Sequence, residues 1–285
     1  MQNLANAGLV PTSARTLAPF KLRQPRSLAQ ALAGLRDAEQ PVLLAGGTDV
    51  VAAFNEGLQP RELICLAGVP ELHRVEPCAH GLRIGAAVNH AQGSAHALLR
   101  EQAPGLAQAW ARIANPRIRF TGTLGGNLMA RRMRYEGSMM LACAGVALEF
   151  ATPHGALELP VLALWQGLPE RALLLAMRLE TASLLAYFHD RSLRPLLSLA
   201  GALRQRANGL HLCCAVATEH LAPVLLELDL PGMNLHAMAA NARSLALEAL
   251  NQLPESFHDT SLTPAYAQAA GSALLARQLK GLAHG

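Results

Sequence analysis

Aromatic side chains are scarce, 4% of the 285 residues, and charged ones amount to only 15%. The net charge is +4, but Lys and Arg are scattered and no nucleic-acid-binding module is recognisable, so the basic balance points to no nucleic-acid partner. Low charge fits a surface buried against other chains, and it fits an alanine-rich composition equally well. Cysteines are few: Cys65, Cys78, Cys143, Cys213 and Cys214. With an odd number and no Cys-x-x-Cys pair, no pattern for zinc or an iron–sulfur cluster is present. They read as reduced packing residues, and strand alternation predicts that Cys213 and Cys214 face opposite ways. No apolar run reaches the roughly 18–20 residues of a bilayer span. The first residues also lack the basic-then-apolar pattern of a secretion signal. A soluble, cytoplasmic protein is the expectation.

What is present is a succession of short apolar runs separated by turn residues. Residues 1–20 read as irregular. Ser27 opens a helix with Gln30 as capping-box partner, and Leu28, Leu32 and Leu35 share one face. Pro41–Ala45 reads as a buried strand running into Gly46-Gly47, followed by an apolar segment, Val50–Phe54. Glu62–Leu66 and Leu82–Ala87 are strand candidates. The periodicity of Leu106, Ala109, Trp110 and Ile113 predicts a helix that stops before Pro116. Beyond it, Val146–Phe150 and Ala156–Pro160 predict a hairpin around Pro153-His154-Gly155, and Ala172–Leu179 a further strand. After residue 185 the pattern changes to three strand-like runs near 196–206, 210–217 and 223–230. Two helices follow, one carrying Leu235, Met238, Ala242, Leu245, Ala249 and Leu253, the other from about Pro264 to Leu282. A separate C-terminal unit with its boundary near 183–190 is predicted.

Two glycine segments stand out, Ala45-Gly46-Gly47-Thr48-Asp49 and Thr123-Leu124-Gly125-Gly126-Asn127. Taken singly each reads as a strand-end turn. As a pair they could form an anion cradle, because glycine lets backbone N–H groups approach a ligand closely and Thr48, Thr121, Thr123 and Asn127 add polar groups. Neither is a Gly-x-Gly-x-x-Gly segment opening a helix in a βαβ unit, nor a P-loop.

The order of motifs along the chain resembles a known family, the FAD-binding medium subunits of molybdenum hydroxylases such as xanthine dehydrogenase and carbon monoxide dehydrogenase. The resemblance rests on Arg23-Gln24-Pro25-Arg26-Ser27-Leu28, Leu43–Asp49, Leu82–Ala86, Ile113–Arg119, Thr121–Leu128 and the closing Ser261…Tyr266…Leu274–Arg277. It implies an α+β fold: an FAD-binding type-2 domain of two α/β subdomains over residues 1–184 (about 1–62 and 63–184), then a C-terminal domain, 185–285, of a three-stranded sheet with helices. It further implies that Leu43, Leu44, Ala45, Gly46, Gly47, Thr48, Asp49 and Val50 wrap the pyrophosphate of non-covalently bound FAD. Thr123, Leu124, Gly125, Gly126 and Asn127 would form the second wall. Ile113 would lie beside the flavin or adenine, Leu173 or Leu174 under the adenine, and Glu136, where the family has aspartate, at the ribityl hydroxyls. His189 stands where the family often has a lysine. No catalytic side chain and no metal ligand is implied in this chain.

Two further segments depart from the family pattern. The run after the second glycine segment is basic, and Arg131, Arg132 and Arg134 read as a solvated loop, as a basic edge toward reduced flavin or an acidic partner, or as a phosphate clamp. Residues 186–201 lack the usual basic pattern. His73, His80, His90, His96 and His154 are scattered and read as surface or satisfied histidines, which argues against covalent flavin attachment through histidine. The resemblance implies electron transfer from [2Fe-2S] clusters on a small subunit to FAD, with molybdopterin on a large subunit and NAD or another molecule as acceptor. An FAD-free scaffold subunit and a free-standing flavin oxidase are the alternative readings.

Overall fold

The computed structural model describes residues 17–132, 135–168, 170–192, 197–217, 222–254 and 263–283. Arg134, Ser261, Leu196 and the first sixteen residues lie outside the described residues. The chain begins with β1 (Lys21–Arg23), α1 (Leu28–Asp37), β2 (Pro41–Leu44), α2 (Thr48–Glu56) and β3 (Glu62–Cys65). Ser27 caps α1 by accepting the Gln30 N–H, while the Gln30 carboxamide accepts the Arg26 N–H. The strands form a parallel sheet in the order β1-β3-β2. The first glycine segment therefore opens a helix inside a βαβ unit, contrary to expectation, and Val50–Phe54 belongs to that helix. A parallel pair needs a crossover, and α2 supplies it.

A second, antiparallel sheet of order β4-β5-β8-β6-β7 contains β4 (Val75–Cys78), β5 (Gly81–Gly85), β6 (Ala147–Thr152), β7 (Gly155–Pro160) and β8 (Leu173–Glu180). The predicted hairpin is β6–β7, closed at Thr152 and Gly155. Between β5 and β6 lie six short helices: α3 (His90–Ala95), α4 (Ala97–Gln102), α5 (Pro104–Trp110), α6 (Pro116–Thr121), α7 (Leu124–Ala130) and α8 (Glu136–Cys143). The predicted helix is α5, which ends at Trp110 and so stops before Pro116 as expected. Pro116 itself starts the next helix, at the first-turn position where its missing N–H has no consequence. Ile113 falls in the turn before it.

Beyond β8, the strands β9 (Leu184–Arg191), β10 (Ser198–Arg206), β11 (Gly209–Ala217) and β12 (Val224–Pro231) form an antiparallel meander. The expected three strands are thus four: β9 pairs along β10, although its sequence, with Tyr187, His189 and Asp190, breaks the apolar run that marks a buried strand. The expected long helix is divided at Asn241 into α9 (Leu235–Ala240) and α10 (Ala242–Leu250), and α11 (Pro264–Gly281) matches the second.

One face of this sheet joins the core of the helical middle region, through Tyr187, Ala200, Ala202, Cys213 and Ala215. The other packs on the last three helices through Phe188, Leu199, Leu212, Cys214 and Val216. Cys213 and Cys214 do part to opposite faces, as period-two alternation requires. Burial on both sides explains the near-continuous apolar runs of β10 and β11. A Cβ at Gly201 would overlap the Phe188 ring. Gly201→Ala is therefore expected to lower stability by about 1–3 kcal/mol through overpacking, measured as an earlier urea midpoint.

Candidate functional site

A cavity of about 580 Å³ lies among the first sheet, the β5–α3 connection and α6–α8. That size falls in the range of small-molecule and cofactor pockets. Its walls include Leu43, Ala45, Gly46, Gly47, Thr48, Asp49 and Val50 from one side and Thr123, Gly125, Gly126 and Asn127 from the other. Ile113, Glu136, Leu173 and Leu174 also line it. Three expected residues do not. Leu44 points away from Leu43 by strand alternation, Leu124 is buried in the helical core, and His189 is buried on β9 behind Glu136.

The two glycine segments meet directly. A Cβ at Gly46 would overlap the Thr121 carbonyl, so the backbones of the two walls touch there. Gly47 caps α2 with φ +79, a left-handed conformation that glycine adopts without strain. It offers no side-chain cap, and among the described residues no acceptor is found for the N–H groups of Gly46, Gly47, Thr48, Asp49 or Val50. Helix starts leave such donors for caps, water or ligands.

The second segment differs from the expected nest. Leu124 N–H donates to the Val88 carbonyl (3.1 Å) and Gly125 N–H to that of Ala86 (3.0 Å). The Thr123 hydroxyl accepts from Gly126 N–H (3.0 Å), and the Thr123 carbonyl from Asn127 N–H (2.9 Å). All four amides are already used: the first two dock α7 against the residues that follow β5, and the other two are taken by its own cap residue, Thr123. Gly125 is required because a Cβ would meet the Ala86 carbonyl. At Gly126 a Cβ would find only the Thr123 hydroxyl, so this glycine leaves its space to the cavity. Asn127 Oδ1 is buried without a partner.

At another part of the wall, Glu136 starts α8 and accepts the Ser198 hydroxyl at 2.8 Å. His189 Nε2 stands 3.2 Å from the same oxygen, too poorly aligned for a hydrogen bond, and Arg191 is 3.6 Å from the other. Burial pushes the Glu136 carboxyl up, but His189, Ser198 and Arg191 outweigh it and hold it below the ordinary 4.5. Asp49 is gripped by the Tyr135 hydroxyl (2.7 Å) and Arg132 (3.1 Å), and Arg132 continues to Glu56 (3.2 Å). Arg132 is thus neither a solvated loop residue nor a free cation. Arg131, in a left-handed conformation with φ 47, donates to the Leu164 carbonyl.

Sequence reasoning missed Tyr135 and the cavity role of His90. Neither position carries a motif; only the fold brings Tyr135 to Asp49 and His90 to Trp110. Ala114 was also unmarked. It lines the cavity at φ 51, with Arg119 holding its carbonyl (2.8 Å) and that of Ile113 (3.1 Å).

Fold and cavity together define a class: a dinucleotide-sized site built from a small parallel βαβ sheet facing a helical, antiparallel-sheet lobe. The family described as the FAD binding domain in molybdopterin dehydrogenase matches residues 18–187, more than half of the chain, and the protein belongs to that family. Among curated relatives, the nicotine 6-hydroxylase medium subunit of Paenarthrobacter nicotinovorans is 34% identical over 140 residues, 49% of this chain and 50% of that protein. The xanthine dehydrogenase FAD-binding subunit of Escherichia coli O157:H7 is 30% identical over 137 residues, 47% of each. The match therefore spans about half the length of these relatives. In fold, the chain resembles a chain of quinoline 2-oxidoreductase from Pseudomonas putida 86, with TM-score 0.78 and 20% identity over 94% of this chain and 99% of that one.

Two outcomes follow from the site's construction. Gly46→Ala should lower stability by about 1–3 kcal/mol, because the clash is with backbone and not with a flexible side chain, and thermal unfolding measures it. Glu136 has a depressed folded value, so its contribution is present above pH 4.5 and is lost as pH falls through the folded value. The stability gap between wild type and Glu136→Gln in urea should thus narrow from pH 7 to pH 3; a gap constant with pH counts against the assignment.

Proposed function

We propose that this chain is the FAD-binding, electron-transfer subunit of a cytoplasmic molybdenum-dependent hydroxylase. The observation that carries the reading is the run of unpaired backbone N–H groups from Gly46 to Val50 in a cavity wall. A dinucleotide pyrophosphate needs several donors at close range, and a helix start supplies both donors and a favourable dipole. Ala45 to Val50 would hold the pyrophosphate. Gly126 would give the cofactor close approach, Asn127 and Thr123 would complete that wall, and Ile113 and Leu174 would offer apolar contact. Glu136, ionised and held by Ser198, would accept hydroxyl groups of the ribityl chain. His189 would act on the cofactor only by positioning Glu136.

Bound non-covalently, FAD supplies the redox chemistry, and the protein supplies binding and electrostatic tuning. A small subunit with [2Fe-2S] clusters would deliver electrons. A large subunit with molybdopterin would oxidise the substrate, and NAD or another acceptor would receive the electrons. In this reading residues 1–184 form the FAD-binding unit and 185–285 the C-terminal unit. The subdomains of this reading, about 1–62 and 63–184, meet at β3, the strand that completes the first sheet.

Titrating the purified chain with FAD, followed by flavin absorption and fluorescence, tests the reading; wild type should bind with one-to-one stoichiometry. Gly126→Ala would bring a Cβ within 2.8 Å of the Thr123 hydroxyl that caps α7. It should therefore cost about 0.5–2 kcal/mol through the disturbed cap and weaken FAD binding by more than that loss of stability alone accounts for. Absence of flavin binding by wild type, together with full complex activity in the variant, would replace this reading with that of an FAD-free scaffold.

A further inference from the structure

His90, the first residue of α3, is almost wholly buried and lines the cavity. Its ring meets Trp110 edge-on, with centroids 6.3 Å apart and planes at 82°. The Trp110 indole N–H donates to His90 Nδ1 at 2.8 Å. An indole nitrogen can only donate, so Nδ1 must be the bare nitrogen and the proton of the neutral ring sits on Nε2. Burial, reinforced by the Arg119 guanidinium, pulls the imidazole down to about 4, so the ring is neutral near pH 7. Among the described residues Nε2 has no partner, and it is not among the sealed, unpartnered buried atoms.

The pair is held from two sides. A Cβ at Gly93 would overlap the indole ring, and Gly122 packs beside His90 Cδ2. His90 N–H also donates to the Gly122 carbonyl at 3.1 Å, tying the histidine to the second glycine segment. A histidine fixed in one tautomer by a buried tryptophan, with its one ring N–H unpartnered among the described residues at a cavity wall, is a donor awaiting an acceptor.

We propose that His90 is a cofactor-binding residue, donating a neutral Nε2–H hydrogen bond to an acceptor atom of the bound flavin dinucleotide, with Trp110 as the positioning residue that sets the tautomer. This rests on the reading of the cavity as the FAD site. Two substitutions separate the donor from the ring's volume: His90→Phe keeps a ring without N–H, and His90→Gln restores an N–H at a similar reach. FAD titration of the full chain should give a dissociation constant about tenfold higher for His90→Phe, as loss of one neutral hydrogen bond implies, and within about threefold of wild type for His90→Gln. The ratio of wild-type to His90→Phe affinity should be the same at pH 6 and pH 8, because the ring is neutral at both.

In nitrogen-15 spectra of wild type, His90 should appear as the Nε2–H tautomer, and its Nε2 proton should move downfield when FAD is added. Equal affinity for wild type and His90→Phe, or an Nε2 proton unmoved by bound FAD, overturns the proposal and leaves the FAD site standing. Wild type that binds no FAD overturns both. Should His90→Phe fail to fold, the wild-type spectrum with and without FAD decides.

Discussion

The backbone contact between Gly46 and Thr121-Gly122 is the constraint on which the site depends. The first glycine segment follows a strand of the parallel sheet and the second opens α7, and the two have different local duties. They make one cavity only because a residue without a side chain lets the strand-to-helix turn of the first lobe press against the end of α6. A single Cβ at Gly46 would push the walls apart and shift the amides of α2 relative to Gly126 and Asn127. The other three glycines then fall into distinct physical roles. Gly47 supplies a left-handed turn, Gly125 admits the Ala86 carbonyl, and Gly126 yields its volume to the cavity. An invariant-looking pair of Gly-Gly steps thus hides four separate reasons for glycine.

The C-terminal sheet takes part in the site through charge and hydrogen bonding and not through direct lining. Ser198 on β10 and His189 and Arg191 on β9 converge on Glu136 and keep a mostly buried carboxylate ionised at the cavity wall. A buried charge is tolerated only when it is paired and hydrogen-bonded, so the position of α8 is tied to the register of β9 on β10. Arg204 makes a second tie, donating to the carbonyls of Ala144 and Glu180 and to the Glu180 carboxylate. At the opposite wall, Tyr135 and Arg132 hold Asp49 across 86 and 83 residues of sequence, so the basic segment closes on α2. The cavity is clasped at both ends by polar contacts that cross between lobes.

Much of this was legible in the chain itself. The Ser27 cap, the β6–β7 hairpin and the parting of Cys213 and Cys214 are consequences of capping chemistry and strand period, which act over a few residues. The resemblance placed the two glycine segments on one cofactor, and most of the expected wall residues do line one cavity. Errors arose where a local pattern served a non-local purpose. Val50–Phe54 looked like a bare apolar segment because no side chain caps α2; its start relies on Gly47. The strand β9 was overlooked because His189 and Asp190 interrupt its apolar run, each for a tertiary partner, Glu136 for one and Arg277 with Gln278 for the other. His90 was dismissed as an isolated histidine, since its partner Trp110 lies twenty residues away with no periodic relation to it.

By itself, then, the sequence determined the family, the order of its motifs and those elements marked by caps, hairpin turns or strand period. Caps, period-two alternation, glycine turns and proline starts are all set by covalent neighbours. The tertiary structure decided which amides remain free, since the first two donors of α7 are consumed by the carbonyls of Val88 and Ala86 while, among the described residues, those opening α2 meet no acceptor. It also decided that Arg132 is an ion-pair partner, that Glu136 is held ionised and that His90 carries its proton on Nε2. Each of these is a matter of which distant group arrives within about 3 Å, and no local preference encodes that distance.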